Sequence, residues 1–165
     1  MAITIRPAES RDLPALGRLG AALMRTHYAF DPPRFLSPDD GAEAGYADFL
    51  GSQLNAEDAI VIVAEIDGGV AGYVYAGVEP LSWKELRDEA GFVHDLLVSD
   101  EARNSGVGHQ LLDAAMSWLK QRGMPRVVLW TAARNAGAQR LFERRGFRPT
   151  MVEMTLELDA EPFRA

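Results

Sequence analysis

The chain has 165 residues, 24 acidic and 17 basic side chains, a formal net charge of −7 and no cysteine. That length suits a single domain over residues 1–165 that buries a core without disulfide or metal staples. The missing cysteine excludes a disulfide framework, a thiolate nucleophile and cysteine-ligated zinc, and the acidic excess repels a phosphate backbone and argues against nucleic-acid partners. The most apolar run, residues 59–64, ends at Glu65 and Asp67 and is too short to cross a bilayer. The first seven residues lack the basic-then-apolar pattern of an export signal, so a soluble, cytoplasmic protein without a membrane partner is expected.

In chain order, residues 3–6 alternate as a short strand. Ser10 or Asp12 then offers a cap to a helix that carries Leu13, Leu16, Leu19 and Leu23 on one side. Prolines, glycines and carboxylates break the pattern over residues 28–55, where a short helix fits 46–54. The β-branched run 60–66, the turn Asp67-Gly68-Gly69 and the run 70–78 read as a β-hairpin. A polar loop over 79–91 leads to a fourth strand at 92–98. A helix follows, with Val107, Leu111, Ala115, Trp118 and Leu119 on one face, and stops at Gly123 and Pro125. Residues 126–131 form a fifth strand, and Asn135 caps a helix that presents Ala138, Leu141 and Phe142 and ends at Gly146. Val152, Met154, Leu156 and Leu158 alternate with polar neighbours as a last strand. A hairpin mixed with strand–helix–strand crossovers predicts an α/β (α+β) fold, with a mixed, largely antiparallel central sheet flanked by helices. The sequence contains no internal repeat and no linker.

The stretch Arg103-Asn104-Ser105-Gly106-Val107-Gly108, which opens the helix after the fourth strand, carries the most chemical information. A glycine-rich helix start presents unpaired N–H groups at the positive end of the helix dipole, and the missing side chains let an anion approach. A Walker loop needs Lys and then Ser or Thr after its last glycine, whereas His109-Gln110 follows Gly108. The dinucleotide fingerprint needs Gly or Ala three residues after its second glycine, and Leu111 stands there. The cradle therefore suits a pyrophosphate outside those two classes.

With Leu96-Leu97-Val98 before it, this loop resembles the acetyl-coenzyme A motif of the GNAT superfamily, Arg/Gln-x-x-Gly-x-Gly/Ala. Downstream, Asn135, Ala138, Leu141-Phe142-Glu143 and Gly146-Phe147 resemble the family's second signature, an Asn-led helix that flanks the cofactor and ends at Gly-Phe. The resemblance implies that the fourth and fifth strands splay apart and that the pantetheine arm pairs with backbone of Leu96, Leu97 and Val98. Ser105, Gly106, Val107, Gly108 and His109 would then hold the pyrophosphate by their amides, with Arg103 adding charge. His109 reads equally well as an exposed helix residue. Asn135 and Phe142 would contact the cofactor. Phe142 departs from the family, many of whose members place there a tyrosine that protonates the leaving sulfur; phenylalanine cannot donate. Tyr73, Tyr75 or water would have to serve, or the thiolate leaves unassisted.

The implied activity is transfer of acetyl from acetyl-coenzyme A, the cosubstrate, to a primary amine of a small molecule, peptide or protein, directly within a ternary complex. A non-catalytic acyl-coenzyme A sensor and a transferase with another acyl donor or a hydroxyl acceptor are the alternatives. An alkylamine is protonated at neutral pH, so a base is needed near the fourth strand, and His94, Asp95 and Glu79 are the candidates. Adjacent strand residues point to opposite faces, so only one of His94 and Asp95 meets the acetyl group unless a bulge intervenes. Each of the three also has an ordinary structural reading, as a packed histidine, an ion-paired or capping carboxylate, and a solvated strand end. Arg140, Arg144 and Arg145 read as a solvated helix face. Trp83, Phe92, Tyr28 and Phe35 are candidates for an acceptor pocket. The acidic loops, with Asp31, Asp39, Asp40, Glu43, Asp48, Glu85, Asp88 and Glu89, suit a cationic acceptor. Dimerisation is common in the family, so a homodimer is a further expectation.

Overall fold

The computed structural model describes residues 2–158. Its elements are β1 (Ile3–Pro7), α1 (Leu13–Phe30), α2 (Ala42–Gln53), β2 (Ala59–Ile66), β3 (Gly69–Glu79), β4 (Ala90–Val98), α3 (Val107–Gln121), β5 (Val127–Leu129) and α4 (Ala136–Arg144), with short 3-10 turns at Ser10–Asp12 and Asp100–Ala102. The five strands form one sheet in the order β1-β2-β3-β4-β5. Neighbours are antiparallel except β4 and β5, which run parallel. This is the mixed sheet flanked by helices that the sequence predicts.

The hairpin between β2 and β3 turns at Asp67 and Gly68, whose φ angles of 50° and 81° match the right-handed twist of the strands they join. One face of the sheet buries Ile62, Ala64, Val74, Ala76 and Val93 against Val107, Leu111, Leu112, Ala115 and Leu119 of α3 and Phe142 of α4. The opposite face packs Val61, Val63, Tyr73 and Leu97 under Leu16 and Leu19 of α1 and Leu50 of α2. An arginine staple ties the entry to α1. Arg6 Nη1 and Nη2 donate to the two oxygens of the buried Asp12 at 2.8 and 2.9 Å, and Nη2 also donates to Glu65 Oε2 at 2.8 Å. The guanidinium holds the Asp12 carboxyl below its ordinary value.

Three expectations are corrected. The helix read over 46–54 begins earlier, at Ala42, because Ala42, Tyr46 and Leu50 recur every four residues; Ala42 is buried, and Tyr46 and Leu50 pack with Leu16 and Leu19 of α1. The fifth strand, read over 126–131, is confined to Val127–Leu129, because its ladder with β4 ends at the pair Val93↔Leu129. The last strand does not form among the described residues. Val152, Met154, Leu156 and Leu158 are exposed and no strand among the described residues pairs with them, and a lone strand is not stable in water.

Candidate functional site

The sheet opens where β5 stops. β4 pairs with β5 only from Gly91 to Val93 and then runs on for five more residues, His94 to Val98, with that edge unpaired by β5. A cleft of about 1120 Å³ occupies the gap, bounded by the C-terminal end of α1, α2, β4, the loop before α3, the end of β5 and α4. This is more than a drug-sized ligand needs, and it leaves room for a long cofactor arm and a second substrate.

At one end lies the glycine loop. Asn104 and Gly106 both have positive φ, 62° and 88°, which turn the chain into α3. The first intrahelical bond runs from Gln110 N–H to Gly106 O, so the N–H groups of Val107, Gly108 and His109 have no carbonyl within the helix. Arg103, Asn104, Gly106, Gly108 and His109 line the cleft. Ser105 and Val107 do not: Val107 is fully buried in the core, and the Ser105 hydroxyl bonds back to the Ala102 carbonyl. The Arg103 guanidinium is half exposed and paired with Asp100 at 2.8 Å. His109 is a wall of the cleft, not a free helix surface, and its Nδ1 is buried without a hydrogen-bond partner. Buried polar atoms are normally satisfied, so this orphan calls for a ligand atom. A Cβ added at Gly108 would meet only Leu141 and Val98, at 3.6 Å. Free amides, an orphaned imidazole nitrogen and a nearby guanidinium fit a pyrophosphate.

Leu96, Leu97 and Val98 all line the cleft, as do Asn135 and Phe142. Asn135 caps α4 by accepting the Ala138 N–H at Oδ1, 3.1 Å away. Phe142 is buried and stacks edgewise on Phe147, and Arg144 of the basic cluster reaches the cleft wall.

The candidate bases meet on one face of β4. The β3–β4 register pairs Tyr75 with Asp95 and Ala76 with Val93, so His94 is the extra residue of a β-bulge. The bulge resets the alternation, and both His94 and Asp95 turn toward the α1–α2 side and line the cleft. His94 is stacked between Tyr75 and Phe92, with ring centroids at 4.8 and 5.6 Å, and its Nε2 lies 3.1 Å from Glu79 Oε1. Glu79 does not line the cleft and reaches it through His94. Asp95 Oδ2 accepts the phenols of Tyr46 at 2.7 Å and Tyr73 at 3.0 Å. Burial pushes the Asp95 carboxyl above its ordinary value, and the two phenols pull it back. Burial also raises both phenols, so they stay protonated as donors.

Tyr73 and Tyr75 are not placed to replace the missing acid at Phe142. Tyr73 is fully buried on Asp95, Tyr75 donates to Gln53 Oε1 at 3.2 Å, and neither lines the cleft. Trp83 is 84% exposed and lies outside it, as do Tyr28 and Phe92, whereas Phe35 lines it. Of the eight loop carboxylates, only Asp39 is part of the wall. The sequence reading missed Tyr46 and His27, both of which line the cleft. The four-residue spacing of Ala42, Tyr46 and Leu50, opposite Gly17 and Gly20 of α1, was the available signal.

Comparison with known proteins agrees with this geometry. The model of the acetyltransferase (GNAT) family matches residues 21–147. An uncharacterised N-acetyltransferase of Methanocaldococcus jannaschii is 33% identical over 85 residues, 52% of this chain and 37% of its own length. Among solved structures, AAC(6')-Iy in complex with the bisubstrate analogue CoA-S-monomethyl-acetylneamine superposes with a TM-score of 0.71 at 19% identity, over 95% of this chain and 98% of that one. The aminoglycoside 6'-N-acetyltransferase of Acinetobacter haemolyticus, in its apo form, gives 0.70 at 21% identity, over 94% and 99%. At these identities the structural matches speak for the fold alone. The chain spans between 37% and 55% of the length of the first curated relatives it matches.

Proposed function

The chain belongs to the acetyltransferase (GNAT) family, and from that membership we propose that it is an acetyl-coenzyme A-dependent N-acetyltransferase that acts on a cationic primary amine by direct transfer. The observation that carries the reading is the opening of the sheet beyond Val93 beside a helix start with free amides and the orphaned His109 Nδ1. Acetyl-coenzyme A, when bound, supplies the thioester acetyl group. The amides of Gly108 and His109, with Arg103, hold its pyrophosphate, and Asn135 and Phe142 flank it. The free edge of Leu96, Leu97 and Val98 orients the pantetheine arm.

His94 is the base in this reading. With Nε2 turned to Glu79, its lone pair lies on Nδ1. It takes the proton of the acceptor ammonium there, and the Glu79 carboxylate stabilises the resulting imidazolium. Asp95 and Asp39 on the cleft wall favour a cationic acceptor, and Asp95 is held by two phenols so that its remaining oxygen meets the amine. Phe142 donates no proton, and none is required for a leaving thiol with a pKa of roughly 8.5. The acceptor is a small-molecule, peptide or protein amine. Aminoglycosides, the substrates named for one structural neighbour, are polycationic and belong in the first panel. The same reading includes a homodimer and a cytoplasmic location.

The test is thiol release from acetyl-coenzyme A with a panel of polyamines, aminoglycosides, lysine peptides and neutral amines. Release with the cationic acceptors is expected, with a fall of about 100-fold or more in kcat for His94→Ala. A protein that binds coenzyme A and releases no thiol with any acceptor overturns the catalytic reading in favour of a sensor. Equal turnover of neutral amines overturns the charge argument.

A further inference from the structure

The loop between β3 and β4 turns one charged side chain inward. From Leu81 to Glu89 every residue except Ser82 and Arg87 is exposed, and the Arg87 side chain is only 13% exposed. Its Nε donates to Glu85 Oε2 at 2.8 Å, and its Nη1 donates to the carbonyls of Asp88 at 2.8 Å and Pro80 at 3.2 Å. Two backbone bonds with Ser82, at 2.8 and 3.0 Å, fix the main chain from which it springs. The guanidinium carbon then lies over the ring of Phe92, 4.8 Å from the centroid. A long side chain gives up rotamer entropy to be held at so many points, and a guanidinium plane laid on an aromatic face is a favourable contact.

Phe92 carries the contact onward. Its buried ring stacks on the His94 imidazole, with centroids 5.6 Å apart and planes inclined by 19°, and Tyr75 stacks on the same imidazole at 4.8 Å and 29°. Tyr75 is anchored in turn by its phenol, which donates to Gln53 Oε1, and by the edge of Phe49 at 5.6 Å. The ring torsion of a histidine is broad, and the His94 side chain is 28% exposed, so its plane has to be fixed by neighbours. The contact between Nε2 and Glu79 is a single point about which the ring can still swing. Two stacked rings remove that swing. Neither Arg87 nor Phe92 lines the cleft, so both act from behind the imidazole.

We infer that Arg87 is a positioning residue for His94 and acts through Phe92. By closing the β3–β4 loop on itself and pressing on the Phe92 ring, it holds the imidazole plane in which Nδ1 faces the cleft. The effect on turnover rests on the reading of His94 as the base; the effect on the order of the ring does not. Holding a reacting group in line is worth a large factor in rate, because a small misplacement lowers the fraction of productive encounters.

Proton NMR of the imidazoles, combined with steady-state kinetics, tests the assignment. The His94 ring resonances, identified as those missing from His94→Ala, are expected upfield in the parent under the ring currents of Phe92 and Tyr75. In Arg87→Ala and in Phe92→Leu they are expected to move toward the position of free imidazole. In both variants kcat is expected to fall by about tenfold to 100-fold while KM for acetyl-coenzyme A stays within about twofold. Resonances that stay in place in Arg87→Ala overturn the role of Arg87, and resonances that stay in place in both variants overturn the stack as well. A rise in KM for acetyl-coenzyme A without a fall in kcat overturns positioning in favour of cofactor binding. Displaced resonances with both constants unchanged uphold the clamp and remove His94 as the base. The NMR readout needs no acceptor, so it decides the clamp even if the proposed activity fails.

Discussion

The phenol of Tyr46, on α2, donates to Asp95 Oδ2, on β4, at 2.7 Å across 49 positions of sequence. The contact depends on a third residue: a Cβ at Gly20 would overlap the Tyr46 ring, so the glycine in α1 makes the space in which the ring lies flat. A helix-weakening glycine is thus exchanged for a fixed donor to a cleft carboxylate.

Tyr46→Phe removes a hydrogen bond to a charged group, an interaction worth about 1.5–3 kcal/mol. With one donor gone, the Asp95 carboxyl moves further above its ordinary value. The acidic limb of the kcat/KM profile for a cationic acceptor is expected to shift to higher pH. Gly20→Ala displaces the ring and is expected to reproduce that shift, at an overpacking cost of about 1–3 kcal/mol by denaturant unfolding. An unchanged acidic limb in both variants would remove Asp95 from acceptor binding.

Asp95→Asn separates stability from activity. The folded carboxyl titrates above its unfolded value, so ionisation works against folding as pH rises through that interval. The amide oxygen still accepts from both phenols. At pH 7 the variant is expected to melt no lower than the parent while its kcat/KM for polyamines falls at least tenfold. A lower melting temperature would show that the charge itself supports the fold.

The staple at Arg6 behaves in the opposite sense. The Asp12 carboxyl titrates below its unfolded value, so its contribution is present above the ordinary carboxylate range and is lost as pH falls through the depressed value. Arg6→Ala leaves a buried carboxylate uncompensated and is expected to cost about 3 kcal/mol at pH 7. The gap between parent and variant should close toward pH 2. Urea titrations at both pH values measure it, and a gap independent of pH would assign the loss to packing.

Gly106 and Gly108 should respond differently to alanine. Gly106 holds φ at 88°, where an L-residue pays about 1–2 kcal/mol, so the loop of Gly106→Ala relaxes out of this turn in the free protein, and restoring the turn on binding is expected to weaken coenzyme A binding roughly tenfold. A Cβ at Gly108 meets Leu141 and Val98 at ordinary contact distance, so Gly108→Ala should stay within about twofold in Kd. Calorimetric titration with coenzyme A distinguishes them. A larger loss at Gly108 would mean that the pyrophosphate approaches that backbone too closely for any side chain.

Much of the scaffold was legible because its causes are local. Asp67-Gly68 supplies two residues that accept positive φ, Asn135 stands where a cap is needed, and Leu111, Ala115 and Leu119 recur at helical spacing. The cradle at residues 103–108 is equally short-range. The sequence admits the bulge at His94 only as a condition, since a register shift depends on how β3 and β4 align over their full lengths. The same alignment put Tyr73 on Asp95 and excluded it from the place opposite Phe142.

By itself the sequence determined the order of elements from β1 to α4, the glycine-rich helix start and its family resemblance, because turn geometry, capping and periodicity are written within a few residues of one another. Only the tertiary structure decided that His94 and Asp95 share a face, that Tyr46 joins them, that Glu79 pairs with His94, and that residues 151–158 find no strand to pair with among the described residues. Those facts depend on register and helix crossing between residues tens of positions apart, where many pairings are compatible with the same local pattern and packing of the whole chain selects one.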